Sequence, residues 1–400
     1  MKIALTCPAS LPATQFGGIM FLCVHIAKRL SNDGHIVTIY TTDLDFANNT
    51  STFNKKLPTI ENIENFFIKR THVWFSSFLF FVNPGMYKQM LHDDFDIIHA
   101  VGIRSFQSFI AAIISKRKKI PLVISDQGGL TTHPDLKKSS FKKKMLILLQ
   151  KPLIKFIINQ ASTIIVPNNY ERNIFLNFCN DTKIALVRNG IDLEELNSST
   201  ENFSKNYKID DDFILFLGRF HTVKGIDTLL DTINLLKNNS LLNNLKFVLM
   251  GVDFGYELEM ETKISSLGLS NVIVIKNPSR KNVISAYHQC KFLVLPSKWE
   301  LSPLTPLEGF ACKKTVVSTT AHGIPYTIQH NENCLLVPPS DPKSLADAIL
   351  DLLQNPLKRK KLEESGYDMI EKEANLNKMA EGIFLMYEKT IQLRKQQFGD

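Results

Sequence analysis

The sequence predicts an α/β protein built from two doubly wound domains, and three observations carry this prediction. The chain has 400 residues, more than one hydrophobic core usually organises. Short apolar runs alternate with helical segments in the N-terminal half, and the same alternation starts again in the C-terminal half. A polar stretch that is poor in large apolar residues separates the halves, as a linker would.

The composition is that of a globular protein, with 44% hydrophobic and 22% charged residues. A formal charge of +8 favours phosphate-bearing ligands, anionic membrane surfaces or nucleic acid as partners, but no nucleic-acid-binding module supports the last. Six scattered cysteines without a C-x-x-C pair indicate reduced thiols in a cytosolic protein. The N-terminal apolar run is too short for a signal peptide, and no segment approaches the roughly 20 apolar residues that span a bilayer.

The N-terminal half begins with a β-α-β pattern. The apolar runs Lys2–Cys7 and His35–Thr41 predict strands, and the apolar residues between them recur at helical spacing. Gly17 and Gly18 precede this helix, either to let a ligand approach the backbone or only to make the turn. The fingerprint G-x-G-x-x-G is absent, which disfavours a dinucleotide-dependent dehydrogenase.

Two further strands of this half carry polar side chains near their ends. Asp96–Val101 contains His99, which is either a functional histidine or a core residue. Pro121–Asp126 ends in Asp126 and continues into Gln127, and both are candidate substrate contacts. In open α/β sheets, ligands bind at the carboxyl ends of the strands.

Other stretches of this half allow alternative interpretations. The aromatic residues between Phe66 and Phe81 form either core or a contact surface for an acceptor or a membrane. Lys137–Phe156 places lysines against apolar residues, as a domain helix with a solvated face or as a helix that docks on anionic lipid. Asp43 and Asp45 resemble a metal-binding D-x-D pair but are interpreted as loop residues.

The domain boundaries follow from the alternation. The first domain is expected at residues 1–195, the linker at 196–212, the second domain at 213–375 and a final helical segment at 376–400. Two domains of this kind would bind a ligand in the cleft between them. The strands of the second domain are expected at Phe213–Leu217, Lys246–Val252, Val272–Lys276, Phe292–Leu295, Thr315–Thr320 and Cys334–Val337.

The most informative stretch is the loop that follows the strand Phe292–Leu295. Its sequence, PSKWELSPLTPLEG, holds two carboxylates: Glu300 where the strand has ended and Glu308 where a short helix has begun. Backbone N–H groups of Ser302–Thr305 at the helix start would suit an anion. The alternative is an ordinary loop with two surface glutamates.

A cationic pair follows the first strand of the second domain: the strand ends in Gly218-Arg219, and Lys224 lies five residues beyond Arg219. Arginine binds two phosphate oxygens at once and lysine acts as a point charge, so the pair would hold a diphosphate. Glu308 would accept both hydroxyls of a ribose, and Glu300 would hold sugar hydroxyls. These residues together describe a site for a nucleoside-diphosphate sugar.

The motifs combine into a resemblance that runs over nearly the whole chain, to the retaining GT-B glycosyltransferases of family four (glycosyltransferase group 1). The E-x7-E element is moderately specific by itself, and it is strong when combined with G-R-x4-K and N-G-I-D. The matching segments are FGG (Phe16–Gly18), VRNGID (Val187–Asp192), FLGRFHTVKG (Phe216–Gly225), ELSPLTPLE (Glu300–Glu308) and NCLLVPPSDPKSLADAI (Asn333–Ile349).

The resemblance implies two Rossmann-like domains facing a cleft, with the final helix crossing back to the first domain. Catalytic roles are implied for Glu300, which would contact the transferred sugar, and for Arg219 and Lys224, which would bind the donor diphosphate. Glu308 would bind the ribose. Further donor contacts are implied for Gly17, Gly18, Ser302, Leu304 and Thr305.

On the acceptor side, the resemblance makes His99 a candidate for catalysis, although Val101 stands where many relatives carry the second histidine of H-x-H. Asp126 and Gln127 are acceptor-side candidates. The implied activity is a hexosyltransferase-type transfer (EC 2.4) of a sugar, with retention, to a hydroxyl acceptor, either a lipid-linked or a polysaccharide or glycoconjugate precursor.

No metal and no other cofactor is expected beside the nucleotide-sugar co-substrate. The expected location is the cytoplasm, with peripheral attachment to the inner membrane face as an extension. The alternatives are a catalytically silent GT-B-like subunit and a nucleotide-sugar epimerase. A phosphorylase on the same scaffold lacks a local signal for its cofactor lysine.

Overall fold

The computed structural model of the protein describes residues 1–45, 52–77, 80–126, 130, 141–198 and 202–398. The chain divides into two compact units. The N-terminal unit comprises Met1–Gly190 and Leu376–Asp400, and the C-terminal unit comprises Ile191–Asn375. Within the described ranges, none of the helices combines the length and the apolar character needed to cross a bilayer.

The elements alternate along the chain much as the apolar pattern predicts. The strands are β1 (Lys2–Thr6), β2 (Ile36–Thr42), β3 (Leu44–Asp45), β4 (Thr52–Phe53), β5 (Ile60–Ile63), β6 (Phe66–Thr71), β7 (Phe75–Ser77), β8 (Phe80–Val82), β9 (Ile97–Val101), β10 (Leu122–Ser125), β11 (Thr163–Val166), β12 (Ile184–Leu186), β13 (Asp212–Leu217), β14 (Leu245–Gly251), β15 (Val272–Lys276), β16 (Leu293–Leu295), β17 (Val316–Thr319) and β18 (Cys334–Val337). The helices are α1 (Gly18–Asn32), α2 (Gly85–His92), α3 (Phe106–Lys118), α4 (Phe141–Gln160), α5 (Asn169–Phe175), α6 (Leu193–Asn197), α7 (Phe203–Tyr207), α8 (Ile226–Leu235), α9 (Glu257–Leu267), α10 (Arg280–Gln289), α11 (Thr305–Ala311), α12 (Pro342–Gln354), α13 (Pro356–Lys372) and α14 (Leu376–Phe398).

The N-terminal unit is built on a sheet whose described strands run in the order β12-β11-β10-β9-β1-β2-β6-β5. Neighbouring strands are parallel, except that β5 is antiparallel to β6. Side chains of β1 alternate between the faces: Ile3 and Leu5 pack in one cluster with α1 and α14, and Ala4 packs in another with α2 and α3. Helices therefore cover both faces, as parallel sheets require.

The final helix, α14, belongs to the N-terminal unit. Arg29 of α1 donates to Asn377 Oδ1 at 2.6 Å. The hydroxyls of Thr163 in β11 and Thr390 in α14 are hydrogen-bonded at 2.7 Å. The chain therefore returns at its end to the unit where it began, as the resemblance implied.

The C-terminal unit is built on a parallel sheet with described strands in the order β15-β14-β13-β16-β17-β18. The chain first builds outward from β13 to one side and then, from β16, to the other side. At such a switch point, the loops that leave the two neighbouring strands diverge and open a crevice at their carboxyl ends. The loops that follow β13 and β16 carry the charged residues singled out in the sequence.

The stretch 196–212, expected to be a linker, is instead part of the C-terminal unit. Leu196 and Phe203 are completely buried in the core of this unit. The Phe203 N–H also donates to Ser285 Oγ at 3.0 Å. The boundary lies after Gly190, before the expected residue 195, because even a polar run docks when its few apolar side chains fill the core.

Candidate active site

A close approach of two backbones shapes the switch point of the C-terminal sheet. After β13, the chain forms a short 3-10 turn, Thr222–Lys224, and continues through Gly225 with φ +68°. A Cβ atom at Gly225 would lie 1.9 Å from the carbonyl oxygen of Pro296, so only glycine fits there. The Lys298 N–H donates to the Val223 carbonyl at 2.7 Å. These contacts hold the loop after β13 against the loop after β16.

This approach pairs the lysine of one loop with the first carboxylate of the other. Lys224 Nζ donates to Glu300 Oε1, and each side chain keeps 17% of its surface exposed. Both residues line a small cavity together with Ser297 and Thr305. At this burial, the two charges attract each other more strongly than an open surface pair does. They are nevertheless accessible to a ligand.

The second carboxylate, Glu308, is held by two side chains of α10. Arg280 Nη1 lies 2.7 Å from Glu308 Oε1, and the Tyr287 hydroxyl donates to Oε2 at 2.7 Å. Arg280 also donates to both oxygens of Glu195 in α6, at 3.0 and 2.8 Å. The guanidinium of Arg280 therefore joins the carboxylates of Glu195 and Glu308. Glu308 is contacted by two donors from α10, Arg280 and Tyr287.

Two side chains of this cluster, Tyr287 and Arg280, have pKa values that their surroundings raise. Burial raises the pKa of the Tyr287 phenol well above its usual value, and the adjacent Glu308 carboxylate raises it further. Burial opposes the charge of Arg280, but the carboxylates of Glu308 and Glu195 outweigh it and raise the pKa of the guanidinium. Tyr287 is therefore a neutral hydrogen-bond donor, and Arg280 is a cation.

Arg219 lies on the exposed surface after β13, and its guanidinium carbon is 5.0 Å from the ring centroid of Phe254. Stacking on an aromatic ring orients the guanidinium without neutralising its charge. Among the residues that the structure describes, no carboxylate forms an ion pair with Arg219. Its charge is therefore available to an anionic ligand.

The segment between the two carboxylates leads into α11. Leu304 is the N-cap residue and makes no side-chain capping bond, Thr305 is the first helical residue, and Pro306 follows in the first turn. Ser302 precedes them in the loop. The structure thus places these residues where the sequence predicted a helix start, and their contact with a donor stays a prediction.

The glycine pair of the N-terminal unit lies at the start of α1. Gly17 has φ +96°, a conformation that favours glycine, and no atom lies within 4 Å of where its Cβ would be. Gly17 is half-buried and Gly18 is exposed. The turn therefore explains the first glycine, and a donor contact for the pair stays a prediction.

His99 is a core residue in this structure, which was one of the two alternatives for it, and its catalytic role stays an untested prediction. Its imidazole is completely buried, with Nδ1 2.6 Å from the Tyr387 hydroxyl and Nε2 2.8 Å from Ser125 Oγ. Burial lowers its pKa to about 3, so the ring is neutral. Both nitrogens are engaged inside the unit, where they join β9 to β10 and α14.

The acceptor-side candidates are described only in part. Asp126 is buried and accepts hydrogen bonds from the N–H groups of Ile103 at 3.4 Å and Leu130 at 2.8 Å. Its carboxylate therefore joins the backbones of Ile103 and Leu130. Gln127 lies outside the described residues, as does the segment 131–140 with the first lysines of the predicted basic helix.

The D-x-D pair has internal hydrogen-bond partners, and it is only partly a loop, because Asp43 lies between two strands and Asp45 belongs to the short strand β3. Asp43 contacts His72 Nδ1 at 2.6 Å and accepts the Val73 N–H at 3.1 Å. Asp45 accepts a hydrogen bond from Asn54 at 2.9 Å. Across the described part of the chain, no group of three or more His, Cys, Asp or Glu side chains is arranged to hold a metal ion.

Sequence reasoning missed the partners of Glu308, namely Arg280, Tyr287 and Glu195. An arginine at the start of a helix and a tyrosine two turns later form no recognisable motif. Their one detectable signal is that α10 follows the carboxyl end of β15, on the edge where ligands bind. Only the folded unit brings them to α11.

Two family models match almost the whole chain. The model described as Glycosyltransferase Family 4 matches residues 16–195, and the model described as Glycosyl transferases group 1 matches residues 197–369. The two matches follow one another nearly without a gap. The second match contains Arg219, Lys224, Glu300 and Glu308.

Similar proteins agree with this assignment. An uncharacterized glycosyltransferase of Methanocaldococcus jannaschii is 25% identical over 381 residues, or 86% of this chain and 87% of that protein. Another from the same organism is 27% identical over 251 residues, or 62% of this chain and 63% of that protein. An Anabaena protein solved in complex with UDP and glucose matches with a TM-score of 0.74 and 18% identity, over 97% of this chain and 99% of that chain. The chain therefore belongs to the glycosyl transferases of group 1 and is a GT-B glycosyltransferase of the hexosyltransferase type.

Proposed function

We propose that this protein transfers a sugar, with retention of configuration, from a nucleoside-diphosphate sugar to a hydroxyl group of an acceptor. The observation that carries the proposal is the pairing of Lys224 with Glu300 at the switch point of the C-terminal sheet. Glu308 lies at the other end of the same loop. Phosphates need cations and sugar hydroxyls need carboxylates, and this loop supplies both kinds of group.

In this proposal, Arg219 and Lys224 bind the diphosphate. As the glycosidic bond breaks, negative charge grows on the departing phosphate oxygen, and fixed cations lower the energy of that state. The stacked guanidinium of Arg219 is already oriented. These two side chains supply the positive charge that the step requires, so the proposal invokes no metal and no organic cofactor.

Lys224 and Glu300 exchange partners when the donor binds. In the free protein, Lys224 donates to Glu300, so a diphosphate competes with this carboxylate for the ammonium group. Once Lys224 turns to the phosphate, Glu300 is released to accept hydroxyl groups of the transferred sugar. The acceptor hydroxyl then attacks the sugar on the face from which the phosphate departs.

A uridine nucleotide is the first donor to test. The Anabaena protein of similar fold is solved with UDP and glucose, which supports a UDP-sugar here as well. Glu308 would bind the ribose, which UDP-, GDP- and ADP-sugars share. Because the ribose is common to these donors, the base and the sugar must be identified by measuring the binding of several nucleotide sugars.

The test combines donor binding and transfer. Wild-type protein, Arg219→Ala and Lys224→Ala are titrated calorimetrically with UDP-, GDP- and ADP-sugars, and transfer is measured with the donor that binds. Losing either cation should slow transfer by about a hundredfold, on the order of 3 kcal/mol of barrier. Near-normal turnover in both variants would contradict the proposal.

Lys246→Ala is the matched control. Lys246 lies 3.3 Å from Asp211 in a half-exposed ion pair at the amino ends of the strands, away from the proposed site. Its loss should leave donor affinity and turnover unchanged. If the wild-type protein binds no nucleotide sugar at all, the silent-subunit alternative replaces the enzyme. A rearranged sugar formed without any acceptor would indicate an epimerase.

The acceptor we propose is a lipid-linked or polysaccharide precursor, met at an anionic membrane surface in the cytoplasm. The N-terminal unit supports this with large apolar side chains in solvent: Trp74 is 76% and Phe75 is 58% exposed, and Leu148 of α4 is 59% exposed. The same helix carries Lys151 and Lys155 on its exposed surface. Aromatic and basic groups together suit an anionic lipid interface.

Vesicle binding tests this part of the proposal. Trp74→Ser should weaken co-sedimentation with phosphatidylglycerol vesicles by about tenfold, since a buried indole is lost from the interface. Leu258→Ser in the C-terminal unit, where Leu258 is 79% exposed, is the control and should have no effect. Equal binding of both variants, or no binding to vesicles, would favour a soluble acceptor.

A further inference from the structure

The surroundings of Glu308 hold more hydrogen-bond donors than a surface glutamate needs. Arg280 is the first residue of α10, and Tyr287 lies two turns later on the same side of that helix. Arg280 reaches Oε1 of Glu308 and Tyr287 reaches Oε2, each at 2.7 Å. One helix therefore contacts both oxygens of the carboxylate.

Arg280 is itself fixed from the other side. Its Nε and Nη2 atoms donate to the two oxygens of Glu195 in a bidentate pair, at 3.0 and 2.8 Å. This fork fixes the plane of the guanidinium, and it leaves Nη1 directed at Glu308. The chain Glu195–Arg280–Glu308 thus sets the position and the rotation of the Glu308 carboxylate.

The carboxylate keeps unused hydrogen-bonding capacity. An ionised carboxylate has about four lone-pair sites, and the described contacts of Glu308 use one on each oxygen. The Glu308 side chain is 15% exposed, so it can be reached from outside the fold. One free acceptor site on each oxygen is the pattern that two neighbouring hydroxyl groups require.

We propose that Arg280 and Tyr287 position Glu308 so that its carboxylate accepts both the 2′- and the 3′-hydroxyl of the donor ribose, and that this arrangement makes the site select ribonucleotides over 2′-deoxyribonucleotides. The inference rests on the proposed function, in which Glu308 binds the ribose. Arg280 and Tyr287 do not touch the donor in this scheme. They are positioning residues, and they act through the carboxylate.

An ion pair that only stabilises the fold is the competing explanation, and the two explanations predict different measurements. A stabilising pair, once broken, lowers the melting temperature and weakens all nucleotides equally. A positioning pair, once broken, reduces the preference for ribose over deoxyribose. The ratio of two affinities measured on one variant is insensitive to a general loss of stability.

The experiment measures this ratio by calorimetry. The ribo and 2′-deoxy forms of UDP, GDP and ADP are titrated into wild-type protein, Glu308→Gln, Arg280→Gln, Arg280→Lys and Tyr287→Phe. Wild-type protein should prefer the ribo form of its nucleotide by about tenfold or more, the value of one hydrogen bond to a charged group. Arg280→Gln should lose most of this preference, and Tyr287→Phe should lose part of it.

Arg280→Lys restores the charge without the fork, so it should recover stability while leaving the preference reduced. Tyr287→Phe keeps the buried ring and serves as the second variant if Arg280→Gln does not fold. A full preference in folded Arg280 and Tyr287 variants, together with its loss in Glu308→Gln, would overturn this inference alone. An unchanged preference in Glu308→Gln, or a wild-type protein that binds no nucleotide, would overturn the proposed function beneath it.

Discussion

The two units share a strand order around their switch points but present different groups there. In the C-terminal sheet, Lys224 and Glu300 meet beyond the ends of β13 and β16, and both are partly exposed. In the N-terminal sheet, β9 lies beside β1 at the equivalent point, and His99 of β9 is sealed in the core. Topology therefore marks the edge where a ligand binds, but it does not put every polar residue of that edge at the surface.

The difference follows from position relative to the strand end. His99 is still inside the ladder, in register with Leu5 on one side and Val123 on the other. Its side chain must therefore lie between the sheet and the helices that cover it. Lys224 and Glu300 come after their strands, in loops whose side chains are free of the ladder. A polar residue that lies one or two positions before the end of such a strand should therefore be interpreted as a core residue before it is interpreted as a site residue.

If the close approach of the two loops creates the C-terminal site, forcing them apart should have the largest effect. Gly225→Ala puts a Cβ 1.9 Å from the Pro296 carbonyl, and this contact is with backbone that cannot rotate away. We expect a loss of about 3 kcal/mol or more in the free energy of unfolding, measured with urea, and loss of donor binding in whatever protein folds.

Gly34→Ala separates this clash from simple backbone strain. Gly34 also has a positive φ, +85°, but no atom lies within 4 Å of its Cβ position. The substitution should cost only about 1–2 kcal/mol and should leave donor binding intact. Equal stability losses in the two variants would mean that the approach of the loops does not matter.

The pairing of Lys224 with Glu300 gives an effect of intermediate size and of unusual sign. Glu300→Gln removes the charge that competes with the diphosphate for Lys224, so UDP itself should bind about threefold more tightly. Transfer should nevertheless slow by about a hundredfold, because the sugar loses its carboxylate. Calorimetry with UDP and a turnover assay measure the two effects separately.

Asp211→Asn is the control for this prediction, because it releases Lys246 from a comparable ion pair outside the site. Neither affinity nor turnover should change in that variant. A parallel fall of UDP affinity and turnover in Glu300→Gln would show that the carboxylate assists phosphate binding. That result would contradict the proposal that Lys224 leaves Glu300 to bind the diphosphate.

The sequence was sufficient for the fold where apolar runs were long and regular. Each expected strand of the C-terminal sheet overlaps an observed one, because fully buried parallel strands are continuous apolar runs. The same reasoning failed at 196–212, where Leu196 and Phe203 each fill the core although their neighbours are polar. Composition averages over a window, but packing depends on single side chains.

For the site, the sequence reached the residues that lie in one loop or one motif. Glu300 and Glu308 were visible because they flank one short loop, and Lys224 because it lies five residues beyond Arg219 in the loop after one strand. Arg280 was not visible, since its contacts join α10 to Glu195 of α6, 85 residues away, and to Glu308 of α11 beyond an intervening strand. Long-range pairs of this kind require the fold, and the burial of His99 required it too.

The smallest effect on activity, and the sharpest contrast with the C-terminal site, is expected at His99. Its pKa of about 3 in the folded protein lies below the ordinary value of 6.5, so the unfolded chain binds more protons between these values. The stability that the neutral ring contributes is therefore complete above pH 6.5 and is lost as the pH falls toward 3. The slope is about 1.4 kcal/mol per pH unit over that window.

His99→Gln should lack this slope when the free energy of unfolding is followed by urea denaturation at pH 7, 6, 5 and 4, while transfer at pH 7 stays close to that of the wild type. Tyr387→Phe removes one hydrogen-bond partner of the His99 imidazole but leaves the imidazole buried. The slope should therefore persist in that control. Because both variants lose a hydrogen bond in the same core, their different pH dependence isolates the proton. A collapse of turnover in His99→Gln with unchanged stability would instead restore the catalytic histidine that the sequence suggested.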